Sequence, residues 1–89
     1  MFVIMVYDVN SRRVAKVLKT SRRYLQRVQN SVFEGEITPG RLTALKDELG
    51  AIINENEDSI LFYVWSKKHY QDRICLGLSS EIIDDLGII

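Results

Sequence analysis

An α+β sandwich, in which two helices cover one face of a four-stranded antiparallel sheet, is the fold class that this 89-residue chain predicts. Three observations carry that expectation. Residues 2–7 and 59–65 are short runs, apolar at successive positions and rich in β-branched and aromatic side chains, the pattern of strands buried on both faces. Residues 11–23 and 39–54 instead repeat their apolar side chains at helical spacing. The chain is also short enough that one domain, residues 1–89, is the expected organisation.

Taken in order, the first strand ends at Tyr7, and Asp8-Val9-Asn10-Ser11 supplies turn and helix-capping chemistry. In the first helix Val14, Val17, Leu18 and Ser21 fall on one side, and Arg12, Lys16, Lys19 and Arg23 fall in a narrow arc opposite. Residues 27–37 read as a second strand, with Val28, Asn30, Val32, Glu34 and Glu36 alternating with Gln29, Ser31, Phe33, Gly35 and Ile37; Gly35 suggests a bulge or a close backbone approach. Thr38-Pro39 pairs a hydroxyl cap with proline at the first helical position, and Leu42, Leu45, Leu49, Ile52 and Ile53 then form an apolar stripe that predicts a helix ending near Asn54. A third strand at 59–65, a polar connection over 66–72 and a fourth strand at 73–78 follow. These elements are assigned to the β-α-β-β-α-β order of ferredoxin-like domains. An apolar tail, residues 81–89, and the second face of the sheet remain uncovered in that arrangement, which predicts a homodimer with residues 82–89 pairing with the partner subunit.

Composition narrows the chemistry. Cys75 and His69 are the only residues of their kinds, so neither an internal disulfide nor a zinc set can be assembled within the chain. No apolar run reaches the roughly 20 residues a membrane span needs, and the opening lacks the basic leader of a signal peptide, so a cytoplasmic protein without membrane partners is expected. The net charge is zero, but the seven basic residues between Ser11 and Asn30 stand in a stretch without a single acidic one. Such segregation creates a local field that attracts phosphates, and Arg12, Lys16, Lys19 and Arg23 are its candidate nucleic-acid contacts.

Several of these segments resemble one family. Tyr7-Asp8-Val9, Arg13-Val14-Ala15-Lys16 with Leu18-Lys19, the run Arg27-Val28-Gln29-Asn30-Ser31-Val32-Phe33-Glu34-Gly35-Glu36, and Asp58-Ser59-Ile60 with Phe62-Tyr63 are similar to the CRISPR-associated endoribonuclease family of the spacer-adaptation module, the second of the numbered Cas families. The resemblance implies a ferredoxin-like homodimer that works with the spacer integrase, bridging the DNA to be inserted, and a magnesium-dependent (or manganese-dependent) nuclease acting on single-stranded RNA or double-stranded DNA. It implies that Asp8 binds the metal, that Asp8, Arg13 and Arg27 serve catalysis, and that Phe33 contacts substrate.

The residue chemistry accommodates this. Magnesium needs hard oxygen ligands and keeps several waters, so one Asp8 from each of two chains, facing across a twofold axis, is a sufficient carboxylate supply. Arg13 and Arg27 suit phosphate binding or the stabilisation of charge developing during cleavage. Aromatic side chains such as Phe33 are more often packed than stacked on a base. His69, alone in a polar Lys-Lys-His-Tyr stretch, is expected to be a bystander, and Cys75 a small buried hydrophobe. Two other functions fit the same elements: a non-catalytic DNA-bridging scaffold, and a toxin-type ribonuclease similar to the virulence-associated protein D family. An RNA-recognition motif is disfavoured, because Ile60-Leu61-Phe62-Tyr63-Val64-Trp65 lacks the basic-Gly-aromatic pattern of its third strand.

Overall fold

The structure, a computed structural model, describes residues 1–66. The expected strand at 73–78, nearly all of the connection before it, the tail at 81–89, His69 and Cys75 lie outside the described residues. The element order is β1 (Phe2–Asp8), α1 (Ser11–Ser21), β2 (Gln26–Gln29), β3 (Val32–Glu36), α2 (Pro39–Ile52) and β4 (Ser59–Trp65). The four strands form one sheet in the order β2-β3-β1-β4, with every neighbouring pair antiparallel. This is a ferredoxin-like α+β fold.

One expectation is corrected. The segment 27–37 is a hairpin rather than a single strand: β2 and β3 are joined by the two-residue turn Asn30-Ser31. Ser31, the second residue of that turn, stands at φ +67°, in the left-handed region. The hairpin supplies the consecutive pair of strands that the β-α-β-β-α-β order requires and that one continuous strand cannot. A bulge between Arg27 and Gln29 bends β2.

The helices start where local chemistry places them. Asn10, not Asp8 or Ser11, caps α1: its side-chain oxygen accepts the Arg12 backbone N–H at 3.0 Å. Helix α1 ends at Ser21, short of the expected Arg23. Thr38 caps α2 through the Arg41 N–H at 3.2 Å, with Pro39 at the first position, as the sequence predicts.

Beneath the helices, Val3, Met5 and Tyr7 of β1 meet Phe33 of β3, Val17 and Leu18 of α1, and Leu42, Leu45 and Leu49 of α2. The alternate residues of β1 (Phe2, Ile4, Val6 and Asp8) point to the other face of the sheet, in register with Trp65, Tyr63, Leu61 and Ser59 of β4. Phe2 and Trp65 rings lie 6.2 Å apart, and Tyr63 stacks on Trp65 at 6.5 Å. Leu61 and Tyr63 are 55% and 52% exposed, so this second face is apolar and open to a partner. No helix among the described residues is long and apolar enough to cross a membrane.

Candidate functional site

Asp8 closes β1 at one end of the open face, paired in register with Ser59, and its side chain is exposed. Beside it lies a cleft of about 130 Å³ lined by Tyr7, Asp8, Val9, Val14, Arg27, Asn30 and Ser31. The backbone builds this cleft: the Tyr7 N–H donates to the Ser31 carbonyl at 3.0 Å, tying the end of β1 to the β2–β3 turn. Arg27 reaches it from β2. It is only 5% exposed, and its Nη2 donates to Asn30 Oδ1 at 2.7 Å. Burial pushes the Tyr7 phenol up, with the Arg27 charge pulling in the opposite direction, so the phenol stays protonated at neutral pH. The Arg27 guanidinium and the Tyr7 phenol thus lie together at this cleft, and Asp8 borders it from the end of β1, its side chain directed to the open face of the sheet.

The remaining candidates lie elsewhere. Arg13 turns away from the cleft to Asp58: Nε donates to Oδ2 at 2.6 Å and Nη2 to Oδ1 at 3.1 Å, a bidentate pair, with Nη2 also 3.1 Å from Glu57. Phe33 is fully buried in the core, with the Tyr7 ring 6.1 Å away, and it presents no surface to a base. Arg23 lies beyond the end of α1 and pairs with Glu48, whose carboxyl is held low by hydrogen bonds from the Tyr24 hydroxyl and Arg23. Arg12 approaches Glu57 at 3.6 Å. Lys16 and Lys19 are exposed on α1, and among the described residues no carboxylate pairs with either. The basic arc is therefore partly neutralised at both ends and open in the middle.

Asp58 is the residue that sequence reasoning missed. Its carboxylate has no exposed surface and accepts four hydrogen bonds: two from Arg13, one from the Asn10 N–H at 2.8 Å and one from the Asn54 N–H at 2.9 Å. The Arg13 guanidinium, ahead of those two amides, holds the carboxyl far below the usual carboxylate range. Nothing local announces it, because its partners are drawn from the start of α1 and the end of α2. The one available signal is Arg13 itself, a cation near the core side of a helix with no acidic residue within a turn.

Among the described residues no three His, Cys, Asp or Glu side chains gather into a metal cluster. Asp8 offers one hard oxygen ligand per chain, half of what a magnesium ion held by two carboxylates and several waters takes.

The family model for CRISPR associated protein Cas2 matches residues 1–73. The chain is similar to the CRISPR-associated endoribonuclease Cas2 of Dictyoglomus turgidum, 55% identical over 78 residues that cover 88% of this chain and 90% of that protein. A relative of the same description from Thermotoga maritima is 53% identical, with the same coverage of both chains. A crystal structure of a Cas2 protein superposes with a TM-score of 0.80 at 43% identity, covering 89% of this chain and 88% of the other.

Proposed function

Because the chain belongs to the CRISPR-associated Cas2 family, we propose that it is a metal-dependent endoribonuclease of CRISPR spacer acquisition, acting as a homodimer with Asp8 of each copy at the shared site. The observation that carries this reading is the meeting of Asp8 and Arg27 at one cleft, at the edge of an apolar sheet face suited to a second copy. Two Asp8 carboxylates brought together across a twofold axis repel each other, and a divalent cation relieves that repulsion. When bound there, magnesium supplies a Lewis acid and an activated water. In this reading Arg27, which lines the cleft and is bound to Asn30, turns to the phosphate and stabilises charge developing on it. Tyr7 keeps its proton and donates or accepts only as a neutral phenol.

A scaffold role in bridging the spacer integrase and DNA is compatible with this chemistry, and one observation favours it: Lys16 and Lys19 stand exposed and without carboxylate partners among the described residues, a patch that a dimer presents twice. The test of the catalytic reading is a magnesium and manganese titration of cleavage, with single-stranded RNA and double-stranded DNA as substrates, for the native chain and Asp8→Asn. The substitution keeps the shape and removes the charge. The expected outcome is metal-dependent cleavage that Asp8→Asn abolishes without loss of folding or dimerisation. Undiminished cleavage by Asp8→Asn overturns the assignment.

A further inference from the structure

We infer that Asp58 is a positioning residue for Asp8, and that Arg13 acts through Asp58 rather than by touching substrate. The inference rests on the reading of Asp8 as the metal-binding carboxylate. Asp8 is held from two sides. Across the sheet it is paired with Ser59, the residue that follows Asp58. Along its own chain it is followed two residues later by Asn10, whose N–H is bound by Asp58 at 2.8 Å. One buried carboxylate therefore fixes both segments that define where Asp8 stands.

Arg13 completes the anchor. Its fork binds both Asp58 oxygens, while the Asn10 carbonyl accepts the Arg13 N–H at 2.8 Å, so the first turn of α1, its cap and the start of β4 are joined through a single carboxylate. Two of the three guanidinium nitrogens of Arg13 are committed to carboxylates, so a phosphate would have to compete with Asp58 and Glu57 for them. A site that needs two Asp8 oxygens at metal-bonding distance tolerates little displacement, and partners that orient a ligand without touching the metal typically matter about ten- to a hundredfold in metal affinity.

The test uses the full chain as Asp58→Asn, Arg13→Lys, the double variant and Asp8→Asn. Manganese binding is followed by the electron paramagnetic resonance signal of the free ion, alongside the magnesium half-saturation of cleavage, the KM for RNA and a thermal melt. Asp58→Asn is expected to weaken manganese binding by about tenfold or more, in line with other residues that orient metal ligands. The magnesium half-saturation should rise in step, while the KM for RNA stays unchanged. Arg13→Lys should do the same more weakly, and the double variant should be no worse than Asp58→Asn alone.

A folded Asp58→Asn with a lowered melting temperature but native manganese affinity overturns the inference, leaving the anchor as fold stabilisation only. An Arg13→Lys that raises the KM for RNA at native manganese affinity, with effects that multiply in the double variant, shows Arg13 touching substrate and also overturns it. Should Asp58→Asn fail to fold, Arg13→Lys decides alone, since it leaves both backbone bonds to Asp58 in place. Native manganese binding by Asp8→Asn overturns the functional reading and this inference together. Loss of binding in Asp8→Asn with native binding in Asp58→Asn removes only the latter.

Discussion

Replacing Phe33 by leucine separates a packing role from a nucleic-acid contact. The ring has no exposed surface, sits opposite Met5 of β1 and Arg27 of β2 in register, and lies 6.1 Å from the Tyr7 ring at an interplanar angle of 36°. Leucine keeps four of the seven side-chain carbons, and at about 0.8 kcal/mol for each buried carbon removed the transfer cost is about 2.4 kcal/mol. Loss of the aromatic pair adds about 0.5–1.5 kcal/mol, for a total of about 3 kcal/mol. Against a stability of about 5–15 kcal/mol the variant still folds, whereas alanine would risk unfolding the chain. In a domain this size the loss corresponds to a fall of roughly 12–24 °C in melting temperature. Urea titrations at one fixed protein concentration should show a lower midpoint with an unchanged slope. RNA and DNA affinity, measured where both proteins are folded, should be unaltered. A Phe33→Leu protein that is as stable as the native chain but has lost affinity would refute the packing argument and place the ring at the substrate.

Three further outcomes follow from the described geometry. Because Asp58 is held below its ordinary value, its contribution is fully present above pH ~4 and is lost as pH falls through the folded value; the gap in urea midpoint between native and Asp58→Asn proteins should be constant near neutrality and close in acid. The Lys16→Glu, Lys19→Glu double substitution should flatten the salt dependence of duplex DNA binding, by about 0.9 in log–log slope for each phosphate that is no longer neutralised, while a native slope would mean that the α1 surface is merely solvated. Leu61→Lys on the open face should shift the mass measured by light scattering toward the monomer and leave the helical signal in place, and a fully dimeric variant would put the interface elsewhere.

What is legible in the sequence follows the range of the interactions involved. Thr38-Pro39 and the Leu42, Leu45, Leu49 stripe are local signals, and α2 begins where they say. The β2–β3 hairpin is hidden because Asn30-Ser31 carries neither glycine nor proline, and because the change of parity at the two-residue turn is undone by the bulge between Arg27 and Gln29, so that the pairs Gln26–Glu34 and Arg27–Phe33 keep the alternation of a single strand. Asp8 and Arg27 can be named by residue type and family resemblance, but their sharing of one cleft depends on the turn being there. The basic arc looks unopposed along the chain, since residues 11–30 hold no acid. Folding returns Glu48, Glu57 and Asp58 to it, and these meet Arg12, Arg13 and Arg23. Pairings between residues 45 apart along the chain leave no periodic trace, so Asp58 cannot be found by spacing.

The place of β1 in the sheet also governs how the chain is made. Its two neighbours come from residues 32–36 and 59–65, so β1 leaves the ribosome before both of them and gains its second edge only with the later one. Until β4 emerges, a strand that is apolar on both faces, and uncharged until Asp8, has one row of its backbone amides open to any passing chain. Closing that gap means shutting a loop of more than fifty residues, a slow step relative to forming either helix. Nascent chains crowded on one messenger meet during that interval, and the same open β1 edge is where they would first adhere.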